Sequence, residues 1–175
     1  MPETLAIDPP AQPFDSRRHW RACWVAASAG FAADQGLKAL VAASLEPGEQ
    51  VFVTSWFNIV HVSNPGAAFS LLADAGGWQR WFLTVVGIAV SLVLAWLLRR
   101  GVASRLEAVA YVGLIGGALG NVTDRLRFGA VVDYLDLHWR GMHWPAFNLA
   151  DILVVGAAGL LLLASFVPDR ERRGR

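Results

Sequence analysis

Four apolar stretches, separated by polar segments, organise the chain. The stretch from Trp81 to Leu98 contains no charged residue. At a rise of about 1.5 Å per residue it nearly crosses a hydrocarbon core of about 30 Å. The stretch over residues 152–167 is equally apolar and extends back to Phe147. The pattern predicts transmembrane helices at four places along the chain: about residues 20–45, 78–98, 106–122 and 147–167.

The third stretch is short and rich in glycine. Gly113, Gly116, Gly117 and Gly120 form two overlapping patterns in which small residues lie four positions apart. Such patterns allow helix backbones to approach closely in lipid. We therefore expect the third helix to be packed inside the bundle.

The first stretch is interrupted by Asp34 and Lys38. At a spacing of i, i+4 the two side chains share a helix face and can pair. The pattern leaves open whether this pair is structural or contacts a substrate. A cleavable secretory signal ending at residues 41–43 is an alternative interpretation, but signal cores are short and rarely contain both an acid and a base, which favours a membrane span.

Basic residues predict the orientation. If there are four spans, ten arginines lie on one side of the membrane, and the positive-inside rule places both termini in the cytoplasm. The ten are Arg17, Arg18, Arg21, Arg99, Arg100, Arg105, Arg170, Arg172, Arg173 and Arg175. Residues 1–19 are then a disordered cytoplasmic lead, 20–167 a single membrane domain and 168–175 a basic cytoplasmic tail.

The segments at about 46–77 and 123–146 face outward in this arrangement. Residues 51–62 are rich in β-forming side chains, and the turn-prone Asn64-Pro65-Gly66 follows them. The predicted fold class is an all-α polytopic membrane protein with four transmembrane helices and a small outward-facing β-containing segment.

Composition supports a membrane protein and excludes several other classes. Of the 175 residues, 55% are hydrophobic and 17% are charged, compared with roughly 25% charged in soluble domains. A net charge of +1 does not favour a nucleic-acid partner. The single cysteine and the scattered histidines exclude a disulfide scaffold or a zinc module, so no metal site is expected.

Polar and ionisable residues concentrate near the predicted outer leaflet. They are Asp34, Lys38, Asn64, Asn121, Asp124, Arg125, Asp133, Asn148 and Asp151. Two carboxylates from different elements repel each other at a low-dielectric interface, so one tends to hold a proton while the other stays charged. Such a pair can activate water and protonate a leaving amine, as in aspartic proteases.

Several of these residues also have simple structural interpretations. Asp124 and Arg125 are adjacent and point to different helix faces, which favours separate contacts and a role in capping and folding. Asp151 lies where a carboxylate can cap the last helix. Asp133 by itself resembles a loop carboxylate.

The motifs resemble those of the bacterial lipoprotein signal peptidases, also called signal peptidase II, over about residues 20–167. The matching segments are Asp34-Gln35 with Lys38, Asn64 to Ser70, Gly117 to Arg125, Val131 to Tyr134, and Phe147-Asn148 with Ala150-Asp151. The resemblance implies that Asp133 and Asp151 form a catalytic dyad that needs no metal or cofactor. Supporting or substrate-binding roles are implied for Asp34, Lys38, Asn64, Asn121, Asp124, Arg125 and Asn148. One departure is Leu37, where many members carry Ser or Thr.

The implied reaction is removal of the signal peptide from a diacylglyceryl-modified prolipoprotein, by cleavage before the lipidated cysteine. The expected location is the bacterial inner membrane, with the active site near the outer leaflet. The expected partners are the substrate and membrane lipid, and the expected state is a monomer. Alternative interpretations are a small oligomeric transporter or channel subunit and a noncatalytic membrane assembly factor.

Overall fold

A computed structural model describes residues 16–66, 76–102 and 104–166. The helices are α1 (Ser16–Ser44), α2 (Trp78–Arg100), α3 (Arg105–Phe128) and α4 (Leu149–Phe166). The strands are β1 (Gln50–Thr54), β2 (Phe57–Asn64), β3 (Val131–Trp139) and β4 (Met142–His143). The predicted tail and residues 67–70 of the Asn64 motif lie outside the described residues, as do residues 1–15 of the predicted lead, whereas residues 16–19 are helical.

The helices expose their apolar side chains. On α2 and α4, Leu92, Val155 and Leu162 are among the large apolar residues that face outward. Within the described ranges, α2, α3 and α4 are long and apolar enough to cross a membrane. The fold is therefore mostly helical, with three candidate membrane-spanning helices. In α1, Asp34 and Lys38 interrupt the apolar sequence of a 29-residue helix, so a fourth span stays a prediction.

Glycines of α3 bring it against both neighbouring helices. A Cβ atom built on Gly117 would lie 2.5 Å from the carbonyl oxygen of Ala150 in α4, and one on Gly116 would lie 2.9 Å from that of Ala27 in α1. Both distances are shorter than real Cβ contacts allow, so only glycine fits there. The close backbone approach predicted for the third helix is confirmed.

We expect Gly117→Ala to lower the free energy of unfolding by about 1–3 kcal/mol, the usual cost of overpacking. The reason is that the new methyl group meets a backbone carbonyl, which cannot move without shifting α4. The matched control is Gly156→Ala, because a Cβ atom there has no neighbour within 4 Å. Thermal unfolding in detergent measures both variants, and equal unfolding temperatures would contradict the packing argument.

The four strands form an antiparallel sheet in the order β1-β2-β3-β4 at one end of the helical bundle. The sequence predicted strands in the first outer segment only, whereas β3 and β4 come from the second. Val62 of β2 pairs with Asp133 of β3 beyond an irregularity in the register. The sheet thereby places Asp133 beside β2, the strand that ends at Asn64.

Helix α3 is longer than its apolar sequence. It continues to Phe128, beyond the predicted end at 122, and Gly129 caps it in a left-handed conformation with φ 84°. A glycine in this conformation is a common helix end because it has no Cβ atom. The extension places Asp124 and Arg125 in the helix and not in an outer segment.

Candidate active site

The start of α4 fixes the position of Asp151. Asn148 precedes the helix, and its Oδ1 accepts a hydrogen bond from the Asp151 amide at 2.9 Å. Asp151 Oδ2 accepts from the Asn148 amide in return, at 3.4 Å. This reciprocal pair is a capping box. The helix-cap interpretation of Asp151 is thus confirmed, and it leaves Oδ1 of the carboxylate available for contact with α3.

Asn148 links the two aspartates, Asp151 through the capping box and Asp133 through its side-chain amide. Its Nδ2 donates to Asp133 Oδ1 at 2.6 Å. The other oxygen of Asp133 accepts from Asn64 Nδ2 at 2.9 Å. Asp151 Oδ1 accepts from Asn121 Nδ2 at 2.8 Å. Each carboxylate is therefore oriented by asparagine amides from other elements, and one asparagine contacts both aspartates.

Burial controls the charge on Asp133. The residue is 2% exposed, and this desolvation raises its pKa to about 7. Hydrogen bonds from Asn64 and Asn148 act in the opposite direction, and the nearby charge of Asp151 adds to the increase. A substantial fraction of Asp133 therefore still holds its proton near neutral pH, where the group can serve as an acid.

A buried ion cluster around Lys38 lies next to the two aspartates and contacts Asn121, which binds one of them. Lys38 Nζ lies 2.9 Å from Asp34 Oδ2 and 2.8 Å from Asp124 Oδ2, and it donates to Asn121 Oδ1 at 2.9 Å. An ammonium group has three donors, and all three have protein acceptors here. The contacts favour the structural interpretation of the Asp34–Lys38 pair, and through Asn121 they also orient the amide that binds Asp151.

Asp34 and Asp124 each join a second element to this cluster. Asp34 Oδ1 accepts from the Ala150 amide at 2.9 Å, in the first turn of α4. Asp124 Oδ2 accepts from the Val132 amide at 3.2 Å, at the start of β3. These contacts agree with the predicted role of Asp124 in capping and folding.

Arg125 makes contacts separate from those of Asp124, as its position predicts. Its Nη2 donates to the Gly66 carbonyl at 2.7 Å, and Nη1 donates to the Asn121 carbonyl at 3.4 Å. The Gly66 amide in turn donates to Asn64 Oδ1 at 2.9 Å. Arg125 therefore holds the turn that presents Asn64 to Asp133.

Two further side chains of the network were not predicted as site residues. Gln35 Nε2 donates to Asp124 Oδ1 at 2.9 Å, and the Tyr134 hydroxyl accepts from the Leu149 amide at 3.1 Å. Gln35 lies three positions before Lys38, so helical spacing could have indicated it. Tyr134 had no such signal, because its partner lies in another element.

A second polar cluster lies on the sheet, away from the dyad. Asp136 binds His143 Nδ1 at 2.8 Å and accepts from Asn58 Nδ2 at 2.8 Å. Burial acts to raise the pKa of Asp136, but the two hydrogen bonds outweigh it and the pKa is lowered. Asp136 is therefore a charged, structural carboxylate. Across residues 16–66, 76–102 and 104–166, no group of three or more His, Cys, Asp or Glu side chains is arranged to hold a metal ion.

Solved structures share this architecture. One, described as "Bacterial membrane enzyme structure by the in meso method at 2.3 A resolution", has a TM-score of 0.76 at 26% identity, covering 88% of this chain and 93% of its own. A second, described in the same words but at 1.9 A resolution, has a TM-score of 0.71 at 25% identity, covering 84% and 94%. The fold is thus that of bacterial membrane enzymes.

Sequence comparisons narrow this class to one family. The family model of signal peptidase (SPase) II matches residues 26–167. The lipoprotein signal peptidase of Aeromonas hydrophila subsp. hydrophila is 48% identical over 151 residues, which cover 85% of this chain and 90% of the relative. That of Ralstonia nicotianae is 50% identical over 142 residues, covering 81% and 79%. The chain belongs to the lipoprotein signal peptidase (signal peptidase II) family, a family of signal-peptide proteases.

Proposed function

We propose that the protein is an aspartic endopeptidase that removes the signal peptide from diacylglyceryl-modified prolipoproteins by cleaving before the lipidated cysteine. The observation that carries the proposal is that Asn148 binds both carboxylates: its side-chain amide donates to Asp133, and its backbone amide donates to Asp151. The substrate class is inferred from membership of the family. The aspartic mechanism is inferred from the two carboxylates.

The arrangement suits a dyad that shares one proton. Asp151, at the N-terminus of α4 where the helix dipole favours negative charge, removes a proton from water. The resulting hydroxide attacks the peptide carbonyl carbon while Asp133 gives its proton to the carbonyl oxygen. When the C–N bond breaks, the leaving amine takes the proton from Asp151, and the proton on the tetrahedral oxygen returns to Asp133. The dyad is then restored without a metal or cofactor.

The placement of the site suits a lipid-anchored substrate. We assign four spans, α1 to α4, with both termini cytoplasmic and the sheet at the outer leaflet of the inner membrane. Arg99, Arg100 and Arg105 cluster where α2 ends and α3 begins, at the end opposite the sheet, in agreement with the positive-inside rule. Residues 20–167 form one membrane domain that acts as a monomer, since one chain supplies both aspartates and their partners.

The transporter and assembly-factor interpretations are less favoured. Among the residues that the structure describes, the buried charges gather at one end of the bundle, around Lys38 and the two aspartates, and do not line the depth of the membrane. The assembly-factor interpretation also leaves the two aspartates without a role.

We expect kcat/KM to fall as the pH rises through about 7, because Asp133 then loses the proton that it must donate. Initial cleavage rates measured from acid to alkaline pH test this. Since the native state holds this proton and the unfolded chain releases it near pH 4, the same shift makes the free energy of unfolding decrease from about pH 4 to about 7. Circular dichroism across the same range checks that the protein stays folded. A rate that stays constant well above neutral pH would contradict the assignment.

The function is tested by a gel-shift cleavage assay in detergent. The substrates are one model prolipoprotein with its diacylglyceryl group and the same chain without it, each with and without a metal chelator. We expect cleavage of the lipidated form only, unaffected by the chelator. Absence of cleavage by folded protein would contradict the proposed activity, and loss of cleavage with the chelator would contradict the metal-free mechanism.

A further inference from the structure

Tyr134 connects the strand that carries one aspartate to the helix that carries the other. It follows Asp133 on β3 and is 4% exposed. Its hydroxyl oxygen accepts a hydrogen bond from the amide of Leu149, the first residue of α4, at 3.1 Å. Asp151 lies two positions further along the same helix turn.

The first amides of a helix have no partners within the helix, so their acceptors hold its start in place. Three side chains supply these acceptors in α4. Tyr134 accepts from Leu149, Asp34 accepts from Ala150, and Asn148 accepts from Asp151. Asp34 belongs to the buried ion cluster on α1, and Asn148 is the residue that directly precedes α4. Among the three, only Tyr134 comes from β3.

A displacement of Leu149 would disturb the hydrogen bonds of both Asp133 and Asp151. The residue before it, Asn148, makes the 2.6 Å hydrogen bond to Asp133 and the capping box with Asp151. Backbone hydrogen bonds between Phe147 and β3 hold the chain on one side of Asn148, and the bond from the Leu149 amide to Tyr134 holds it on the other. Together they limit how far Asn148 can move relative to β3.

We infer that Tyr134 is a positioning residue of the dyad, whose hydroxyl holds the start of α4 at the distance from β3 that lets Asn148 contact both aspartates. The inference rests on the proposed catalytic roles of Asp133 and Asp151. The competing explanation is that Tyr134 only fills space, since its ring lines an apolar groove together with Leu37, Leu149 and Ile152.

Tyr134→Phe separates these explanations because it keeps the ring and removes only the hydroxyl. Without its acceptor the Leu149 amide loses its tether, and small misplacements of reacting groups lower rates strongly, so we expect kcat to fall about tenfold. KM for a lipidated peptide should change little, since the substitution leaves the aromatic ring in place.

The pH profile gives a readout that a space-filling role would not change. The hydrogen bond from Asn148 stabilises the ionised form of Asp133, so loosening it raises the pKa of Asp133 further. The alkaline limb of the profile should therefore move to higher pH in Tyr134→Phe. Burial raises the pKa of Tyr134 to about 12, and the negative charges of Asp34, Asp133 and Asp151 act in the same direction. The tyrosine itself therefore does not titrate in this range.

The chain offers a matched control. Tyr111 is the only other tyrosine, and it packs on α3 against the hydrophobic cluster of Cys23, Leu94 and Ile115. Tyr111→Phe should keep the kcat and the pH limb of the wild type. The inference is overturned if the alkaline limb of Tyr134→Phe coincides with that of the wild type, even when the variant unfolds at a lower temperature, because the limb does not depend on how much protein is folded.

A second variant tests the hydrogen bond itself. Leu149→Pro removes the amide hydrogen at a helix position that tolerates proline. In that background Tyr134→Phe should cause no further loss of kcat, whereas an additional tenfold loss would overturn the inference. A failure of the proposed function looks different, because wild-type protein would not cleave, or Asp133→Asn would still do so, whatever residue occupies position 134.

Discussion

Asp133→Asn and Asp151→Asn are each expected to lower kcat by at least about 1,000-fold, within the usual range for general acid–base groups. An asparagine at 133 cannot donate the carboxyl proton, and one at 151 cannot accept a proton from water. Both substitutions preserve the size of the side chain. The gel-shift assay with lipidated substrate measures the residual rate, and thermal unfolding verifies that each variant is folded.

The control for the dyad is Asp136→Asn. Asp136 lies on the same strand as Asp133 but binds His143 and Asn58, so its variant should keep most of the activity. The double variant at 133 and 151 should be no slower than either single variant, because groups that act as a unit are not additive. Wild-type cleavage by either single variant would exclude that aspartate from the chemistry.

Lys38→Met should cause the largest loss of stability. Asp34 and Asp124, at 0% and 1% exposure, would lose the cation that both of them contact. Removing one partner of a buried ion pair typically costs about 3–5 kcal/mol, because a charge stays buried without compensation. Since domains are stable by only about 5–15 kcal/mol, we expect a large decrease in unfolding temperature in detergent and a low yield of folded protein.

The matched control removes an exposed cation at the same end of the bundle. Arg127 lies near the end of α3 with its side chain exposed, so Arg127→Met should change the free energy of unfolding by no more than about 0.5 kcal/mol. If Lys38→Met unfolded at the same temperature as Arg127→Met, the buried cluster would not stabilise the fold as argued.

Hydropathy was sufficient to locate the helices but not all of their ends. The apolar pattern predicted α2 and α4 to within a few residues, because lipid-exposed helices must be apolar along their length. It ended α3 too early, at 122, because Asp124 and Arg125 make the sequence polar there, although both side chains are buried against protein. Gly129 indicates the true end of the helix, because glycine is common at helix C-termini, but a hydropathy pattern contains no such information.

The sheet illustrates what a single sequence cannot supply. Strands β2 and β3 are separated in the chain by α2 and α3, and their register depends on which residues the helices bring together. The sequence predicted strands near 51–62, but nothing local marked Val131–Trp139 as their partner. Asp133 therefore resembled a loop carboxylate until its neighbours in space were known.

The site could be predicted in part. Spacing alone predicted the pairing of Asp34 with Lys38, because both lie on one helix face. The third member of that cluster, Asp124, comes from another helix, and no spacing rule relates the two. The catalytic assignment of Asp133 and Asp151 came from the resemblance to a family, and it stays a prediction that the asparagine variants test.

Lys38 is also the only lysine in the chain, and its buried ammonium group gives the protein a built-in chemical reporter. Amine-reactive reagents find no accessible lysine side chain among the described residues of the folded protein, since Lys38 is 3% exposed. Covalent labelling at this position requires the cluster around Asp34 and Asp124 to open. The increase in mass of the peptide that contains Lys38, after brief exposure of the protein to such a reagent, would therefore report on unfolding of the membrane domain without an introduced probe.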